Sequence, residues 1–322
     1  MKIGSIAENI YNRTVKKELS FVNDKCADFR RNCAFFDADI QGKNIIITNT
    51  RSSSLSMMNC TLSIISSLNE LIIQGAEPVG LNINLLMSEK YSEEKMRKIL
   101  ASIEEVLDKA DAKVLSFHGE NASYIKEPVL TCSAIGYKKK NTMAVAKPGN
   151  DIVMIGTAGY AGASILAIKE RENLLKRLPA DYIDGAVVKP DGLIVKDEAA
   201  LAIKSDDACI YHVSEGGVYA TLWNMASESR VGLDIYIKNI PIKQETVEIC
   251  NYLDLNPYEL MSEGSLLVSL TDGQKLVDSL LEKGIKSAII GKVTDSNDKV
   301  IINEDERKFI TKPCPDELFK YI

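Results

Sequence analysis

The sequence predicts an α/β (α+β) fold of two domains, each a mixed or antiparallel sheet packed by helices. Three observations lead there. A chain of 322 residues can bury one large core or two ordinary ones, and two is the commoner solution at this length. Short apolar runs of strand length alternate along the chain with stretches whose apolar residues recur at helical spacing. Apolar residues make up 45% and charged residues 26%, the profile of a soluble globular protein. A short basic patch, KKKNT at 138–142, reads as a solvated turn between the halves, so the expected domains are 1–146 and 147–322.

Charge and patterning exclude several function classes. A net charge of −6 and a pI near 5.3 argue against a nucleic-acid binder, whose surface would be basic. No apolar run is long enough to cross a bilayer, and the first 19 residues hold no apolar signal core. The expectation is a cytoplasmic protein with no membrane and no nucleic-acid partner. The 7 cysteines are scattered, with no C-x-x-C pair, and only His118 and His212 accompany them. That pattern is neither a disulfide framework nor a structural zinc site, and most of the thiols read as small buried apolar residues.

Taken in order, residues 5–19 read as one amphipathic helix, with Ser5 as cap, Glu8 three residues on, and Ile6, Ile10 and Leu19 near one face. Residues 20–43 are irregular, including FRRNCAFF, and 44–48 (NIIIT) reads as a buried strand. A polar lead at 51–59 opens a helix to about residue 74, where Met58, Leu62, Ile65, Leu68 and Ile72 repeat as core positions. Gly75 ends that helix and Pro78 prevents its continuation. A strand at 79–86, a helix at 92–110 and a strand at 113–117 follow, then HGENASYI as a strand-end segment and a strand at 129–137. His118 beside Glu120 could serve acid–base chemistry, but a histidine at a strand end is more often a hydrogen-bonded surface residue.

In the second half, 147–156 is a Pro-Gly turn and a buried strand. Gly156, Gly159 and Gly162 then stand at G-x-x-G-x-x-G spacing before a helix. Loop amides of this kind can cradle phosphate, yet the spacing is neither the P-loop nor the dinucleotide fingerprint, and by itself it reads as a tight turn. Residues 170–192 are helical then looped, and 197–205 is a helix. In 210–233, IYHVSEGGVYATLWNMASESRVGL, an apolar run meets Gly216-Gly217 and then a helix whose first N–H groups face the turn, a place suited to an anion. Read alone, Gly-Gly before a helix is a plain turn. Strands at 233–237, 266–270 and 288–293, helices at 244–253 and 272–283, and a last strand at 299–303 pairing across a turn complete the pattern.

The polar-x-x-Ser-x-Gly-Gly run followed by a helix ending in Ala-Ser-Glu-Ser-x-Val-Gly resembles the second domain of the aminoimidazole ribonucleotide (AIR) synthetase superfamily. That superfamily includes the hydrogenase maturation dehydratase, selenophosphate synthetase and thiamine-monophosphate kinase. Four more segments agree with it in order: 69–81 (NELIIQGAEPVGL), 147–167 (KPGNDIVMIGTAGYAGASILA), 238–260 and 261–270 (MSEGSLLVSL). The likeness runs from about residue 40 onward and is nearest to the hydrogenase maturation branch and its AIR synthase-related relatives.

The resemblance implies AIR-synthetase-like N- and C-terminal domains, a homodimer joined through the N-terminal sheets, a nucleotide cleft, ATP with Mg²⁺, and a hydrogenase maturation partner protein. Three positions where active relatives carry metal-binding Asp hold Asn49, Glu70 and Glu120 here, which the resemblance makes the metal-binding set. An amide brings no charge to offset Mg²⁺, and Glu reaches one methylene further than Asp. Glu70 reads equally well as an ordinary helix carboxylate. The cofactor-binding set is Asn49, Glu70, Glu120, Asn121, Gly156, Gly159, Gly162, His212, Ser214, Gly216, Gly217 and Glu263. Against the dehydratase pattern His-Asp-Ala-Thr-Arg-Gly-Gly, residues 211–217 read Tyr-His-Val-Ser-Glu-Gly-Gly, so Asp becomes His212 and Arg becomes Glu215. That reversal of charge makes polyphosphate less welcome beside the turn. The dehydratase carries its carbamoyl group on a cysteine at the extreme C-terminus. Cys314 here lies eight residues from the end, between two prolines.

No catalytic residue is assigned. The expected function is ATP-dependent dehydration or activation of a carbamoyl or amide group, with a degenerate metal–nucleotide site. The alternative is a non-catalytic regulatory relative that binds a nucleotide or another small ligand. A purine-pathway synthetase or small-molecule kinase is a third reading, and the synthetase's Asp-Gly-Val-Gly-Thr-Lys motif is missing.

Overall fold

A computed structural model describes residues 4–5, 8–21, 44–51, 57–138 and 144–321. The chain forms two units: Met1–Asn141 together with Pro190–Ile194, and Thr142–Lys189 together with Val195–Ile322.

The first unit carries a five-stranded mixed sheet of β1 (Gly4–Ser5), β2 (Asn44–Arg51), β3 (Glu77–Ser88), β4 (Val114–Ala122) and β5 (Val129–Lys138), in the order β1-β4-β3-β5-β2. β3 and β4 are parallel and the other neighbours antiparallel. Helices α1 (Glu8–Arg13), α2 (Val15–Glu18), α3 (Met57–Ile73) and α4 (Glu93–Lys109) belong to the same unit. Period-two alternation sorts the strand residues. Leu81, Ile83, Leu85 and Met87 are fully or almost fully buried, while Asn82, Asn84 and Leu86 between them are not. On the covered face Thr48 Oγ1 donates to Ser67 O of α3 at 2.9 Å, and Phe117 meets Tyr11 of α1 edge-on. The opposite face carries polar pairs, with Ser133 Oγ donating to Asn49 Oδ1 and Ser116 Oγ to Asn82 Oδ1 at 2.9 Å, beside the exposed Ile45 and Ile47.

Four expectations change here. The single helix over 5–19 is instead α1 and α2, broken at Thr14, whose hydroxyl bonds back to Ile10 O at 2.6 Å. Ser5 lies in β1 opposite Glu120, outside any described helix. β2 is the sheet's edge strand rather than a buried one, with Ile45 and Ile47 53% and 59% exposed. β4 runs on through His118, Glu120 and Asn121, because its parallel register with β3 holds to Ser88↔Ala122. The segment FRRNCAFF and residues 52–56 of the polar lead lie outside the described residues. The apolar repeat of α3 is buried as expected at Leu62, Ile65, Leu68 and Ile72, and Gly75 closes the helix at φ +67°.

The second unit has seven strands, β6 (Asp151–Ile155), β7 (Cys209–Val213), β8 (Gly232–Tyr236), β9 (Ser265–Leu270), β10 (Ser287–Thr294), β11 (Lys299–Asn303) and β12 (Glu306–Phe309), in the order β12-β11-β8-β10-β6-β9-β7. Its helices are α5 (Tyr160–Lys169), α6 (Arg171–Leu174), α7 (Ala180–Ala186), α8 (Lys196–Ala202), α9 (Gly217–Ser229), α10 (Gln244–Leu253) and α11 (Gly273–Leu281), with a 3-10 turn at Glu317–Lys320. Every residue of β9 is buried, as a strand covered on both faces requires. Val218, Leu222, Met225 and Ala226 of α9 pack on Met154, Leu233, Leu267 and Ile290 to form one core cluster. The expected last strand at 299–303 is not last and does not fold back on β10. It runs parallel to β8, and β12 pairs with it at the edge. Cys60, Cys132, Cys209 and Cys250 are buried, and burial pushes the last three thiols up to about 12, 11 and 12, as suits small apolar residues. Among the described residues no helix is long and apolar enough to cross a membrane.

Candidate functional site

In the second unit, the residues singled out in the sequence converge on the segment 258–265. The Gly-Gly turn needs its glycines: Gly216 and Gly217 stand at φ +78° and +64°, and a Cβ on Gly217 would lie 2.6 Å from Tyr258 O. Just before the turn, the Glu263 carboxylate accepts from Ser214 Oγ at 2.7 Å through Oε2, while its Oε1 stands 2.7 Å from His212 Nε2. Both His212 and Glu263 are buried, so these two side chains fasten the turn to the start of β9 and present no surface to a ligand. Ser262 N bonds Ser214 O at 3.2 Å, a second tie between the same two segments.

The glycine-rich loop before α5 joins the same hub. Thr157 N donates to Ser265 Oγ, Ala158 N to Pro241 O, Gly159 N to Ser262 Oγ at 2.7 Å and Gly162 N to Met261 O at 2.9 Å. A Cβ at Gly156 would meet Ser265 Oγ at 2.5 Å, and one at Gly162 would meet Leu260 Cγ at 2.4 Å. These glycines allow the loop to lie against 257–265, and the four amides named point into the protein. The tight-turn reading of G-x-x-G-x-x-G therefore describes this loop better than a phosphate cradle.

One amide of the hub does face an oxyanion. Gly216 N, at the head of α9, donates to Asp316 Oδ2 at 2.6 Å, and Leu318 N donates to Asp316 Oδ1 at 2.8 Å. Burial raises the Asp316 carboxyl to about 6, against the pull of those donors, and the Glu215 charge adds to the rise. The anion expected at the Gly-Gly turn is thus a side chain of the protein itself. Sequence reading missed Asp316, which falls in no periodic or motif position, and it passed over Ser262 and Ser265 although both lie in the family-like segment 261–270.

In the first unit the resemblance-based metal set is dispersed. Asn49 is on β2 and Glu120 on β4, three strand spacings apart, about 14 Å across the sheet before any offset along the strands. Asn49 Oδ1 accepts from Ser133 on the polar face, whereas Glu70 is on α3, in the layer over the other face. A hard cation needs its oxygen ligands within about 2.6 Å. One chain therefore does not gather Asn49, Glu70 and Glu120 around one ion, and among the described residues no group of three or more His, Cys, Asp or Glu is placed to hold a metal. Mg²⁺ does not fit this set within one chain. His118 Nε2 lies 3.8 Å from Glu120 Oε2, both partly exposed on β4. Asn121, one residue on, turns to the covered face and is fully buried. Among the described residues its side-chain amide has no hydrogen-bond partner. Asn69, beside Glu70, is also fully buried and donates to Leu193 O at 2.9 Å.

Residues 60–137 match the AIR synthase related protein N-terminal domain, and 147–303 match the C-terminal domain of the same family, which takes in the whole Gly-Gly hub apart from Asp316. The chain belongs to the AIR synthase-related family. Among curated proteins, one named a hydrogenase expression/formation protein of Methanocaldococcus jannaschii is 24% identical over 265 residues, 80% of this chain and 77% of that one. The carbamoyl dehydratase HypE of Rhizobium leguminosarum bv. viciae is 26% identical over 249 residues, 72% of this chain and 67% of the relative. The crystal structure of E. coli HypE, a hydrogenase maturation protein, covers 97% of this AIR synthase-related chain and 99% of its own, with a TM-score of 0.84 at 17% identity. A HypE in complex with ATP has a TM-score of 0.79 at 16% identity, covering 96% and 95%. HypE in a HypE–HypF complex has a TM-score of 0.71 at 20% identity, covering 90% and 95%. At these identities the solved structures establish the fold of the chain.

Proposed function

We propose that this AIR synthase-related protein binds ATP and serves hydrogenase maturation, with activation of a carbamoyl or amide group as its reaction class. The observation that carries the reading is the head of α9. There the Gly216-Gly217 turn of the matched C-terminal domain offers a main-chain amide to an oxyanion. The ATP-bound HypE and the relatives named HypE support the choice of ligand and pathway, and the HypE–HypF complex supports a HypF-like partner. The proposed phosphate contact is the main-chain amide of Gly216, with His212, Ser214, Gly217 and Glu263 holding the turn. The proposed assembly is a cytoplasmic homodimer joined through the N-terminal sheets, which the exposed Ile45 and Ile47 on edge strand β2 support.

Titration calorimetry with ATP, with and without Mg²⁺, tests the reading. Saturable binding is expected, and no heat at millimolar nucleotide refutes it. A second reading, binding without turnover, is favoured by the dispersal of Asn49, Glu70 and Glu120. It expects no ATP-dependent phosphate release. Release that is stimulated by Mg²⁺ and lost in Glu70→Ala or Glu120→Ala, while a surface control keeps it, would refute that second reading.

A further inference from the structure

Two adjacent carboxylates close to the C-terminus are taken out of water. Asp316 and Glu317 are 3% and 9% exposed. Asp316 receives the amides of Gly216 and Leu318. Glu317 Oε2 receives Asn256 N at 3.0 Å and Lys320 Nζ at 2.7 Å, and Glu317 N donates to Glu259 O at 3.2 Å. Leu318 is buried, and Tyr321 Oη donates to Leu253 O at 2.9 Å. The segment thereby crosses the end of α10, the loop 254–261 and the head of α9, all within the second unit.

A helix is ordinarily capped by the residue just before it. Here the capping residue of α9 is Gly216, which has no side chain, and Ser214 is already committed to Glu263. The oxyanion arrives instead from 100 residues further along the chain. Its donor at the turn is the main-chain N–H of Gly216, the kind of group a phosphoryl oxygen would use. Glu215 adds like-charge repulsion next to it, so the contact is held against an opposing force.

We propose that residues 315–321 form an autoinhibitory strap, in which the Asp316 carboxylate occupies the head of α9 in place of a ligand's phosphoryl oxygens. This rests on reading that helix head as the phosphate end of the nucleotide site. An incoming polyphosphate gains the Gly216 amide only by displacing Asp316, and with it the turn at Glu317–Lys320. The apparent affinity of the closed protein is lowered by the fraction of time the strap is shut.

The test uses the full chain and inorganic pyrophosphate as probe. Binding is read by calorimetry, and release of the strap by hydrogen exchange in peptides covering 316–321. Asp316→Ala removes the oxyanion from the head of α9, and Leu318→Ala loosens the same segment without touching that carboxylate. Both variants are expected to bind pyrophosphate about tenfold more tightly than the parent. In the parent, saturating pyrophosphate is expected to speed exchange in 316–321. ATP and pyrophosphate binding that is equal in parent and both variants, with exchange in 316–321 unchanged, overturns the strap and leaves ATP binding standing. No binding of either probe to any of the three proteins overturns both.

Discussion

Replacing Asp316 by asparagine removes a charge that the second unit keeps almost entirely from water, and the effect on stability should depend on pH in a defined way. The folded carboxyl titrates at about 6, against an ordinary value of 3.8, because burial penalises the anion more than its amide donors favour it. A difference of about 2 units corresponds to about 3 kcal/mol. The sign follows from which state holds the proton. Below 3.8 the group is protonated whether the chain is folded or not, and its contribution is greatest. Between 3.8 and about 6 only the folded chain holds the proton, so stability falls as pH rises, and above that range the loss is complete and flat. Asp316→Asn lacks this slope. The stability of the parent minus that of the variant should therefore fall by about 3 kcal/mol from pH about 4 to pH about 7. Trp223, the sole tryptophan, lies on α9 and reports this unit's unfolding in urea. A difference that stays constant to within about 0.5 kcal/mol over that range would refute the assignment of a dry, ionised Asp316.

Removing one partner of the His212–Glu263 pair leaves the other buried, so Glu263→Ala should cost about 3–5 kcal/mol in urea unfolding. A loss under about 1 kcal/mol would mean the pair is hydrated. Gly217→Ala should destabilise much more than Gly284→Ala. Both positions have positive φ, but a Cβ meets Tyr258 O at 2.6 Å at the first and nothing within 4 Å at the second. Similar melting temperatures for the two variants would contradict the packing described at the Gly-Gly turn. Ile47→Asp on β2 should convert the proposed dimer to a monomer in light scattering while circular dichroism stays unchanged, since the side chain is 59% exposed. A variant that still sediments as a dimer would remove that face from the interface.

Much of the fold was legible because it is written in local periodicity. The repeat through Leu62, Ile65, Leu68 and Ile72 marked α3, and the expected helix at 244–253 coincides with α10. What failed was whatever depends on a neighbour distant in sequence. Ser5 looks like a cap until pairing with Glu120 makes it part of a strand. NIIIT looks like a core strand, yet Ile45 and Ile47 point to the same face as Asn49, away from α3, and are exposed there. The 299–303 strand looked like the return arm of a hairpin, but it lies parallel to β8. At the candidate site, family pattern brought His212, Ser214, Gly216, Gly217 and Glu263 onto one list, and three-dimensional geometry joins them around 258–265. The same pattern could not reveal that sheet order separates Asn49 from Glu120. Nor could it reveal that Asp316 returns to the head of α9, because no spacing rule links residues 100 apart.

The membership of Pro190–Ile194 in the first unit has a consequence for how the molecule is made. As the polypeptide leaves the ribosome, everything through Asn141 emerges while the acceptor for the fully buried Asn69 amide, Leu193 O, has yet to be synthesised. The first half must wait for some fifty more residues before this hydrogen bond can form, one whose net worth is about 0.5–1.5 kcal/mol. A gene fragment cut after Asn141 would encode a half lacking that stitch, whereas a split protein that donates 190–194 in trans should recover it.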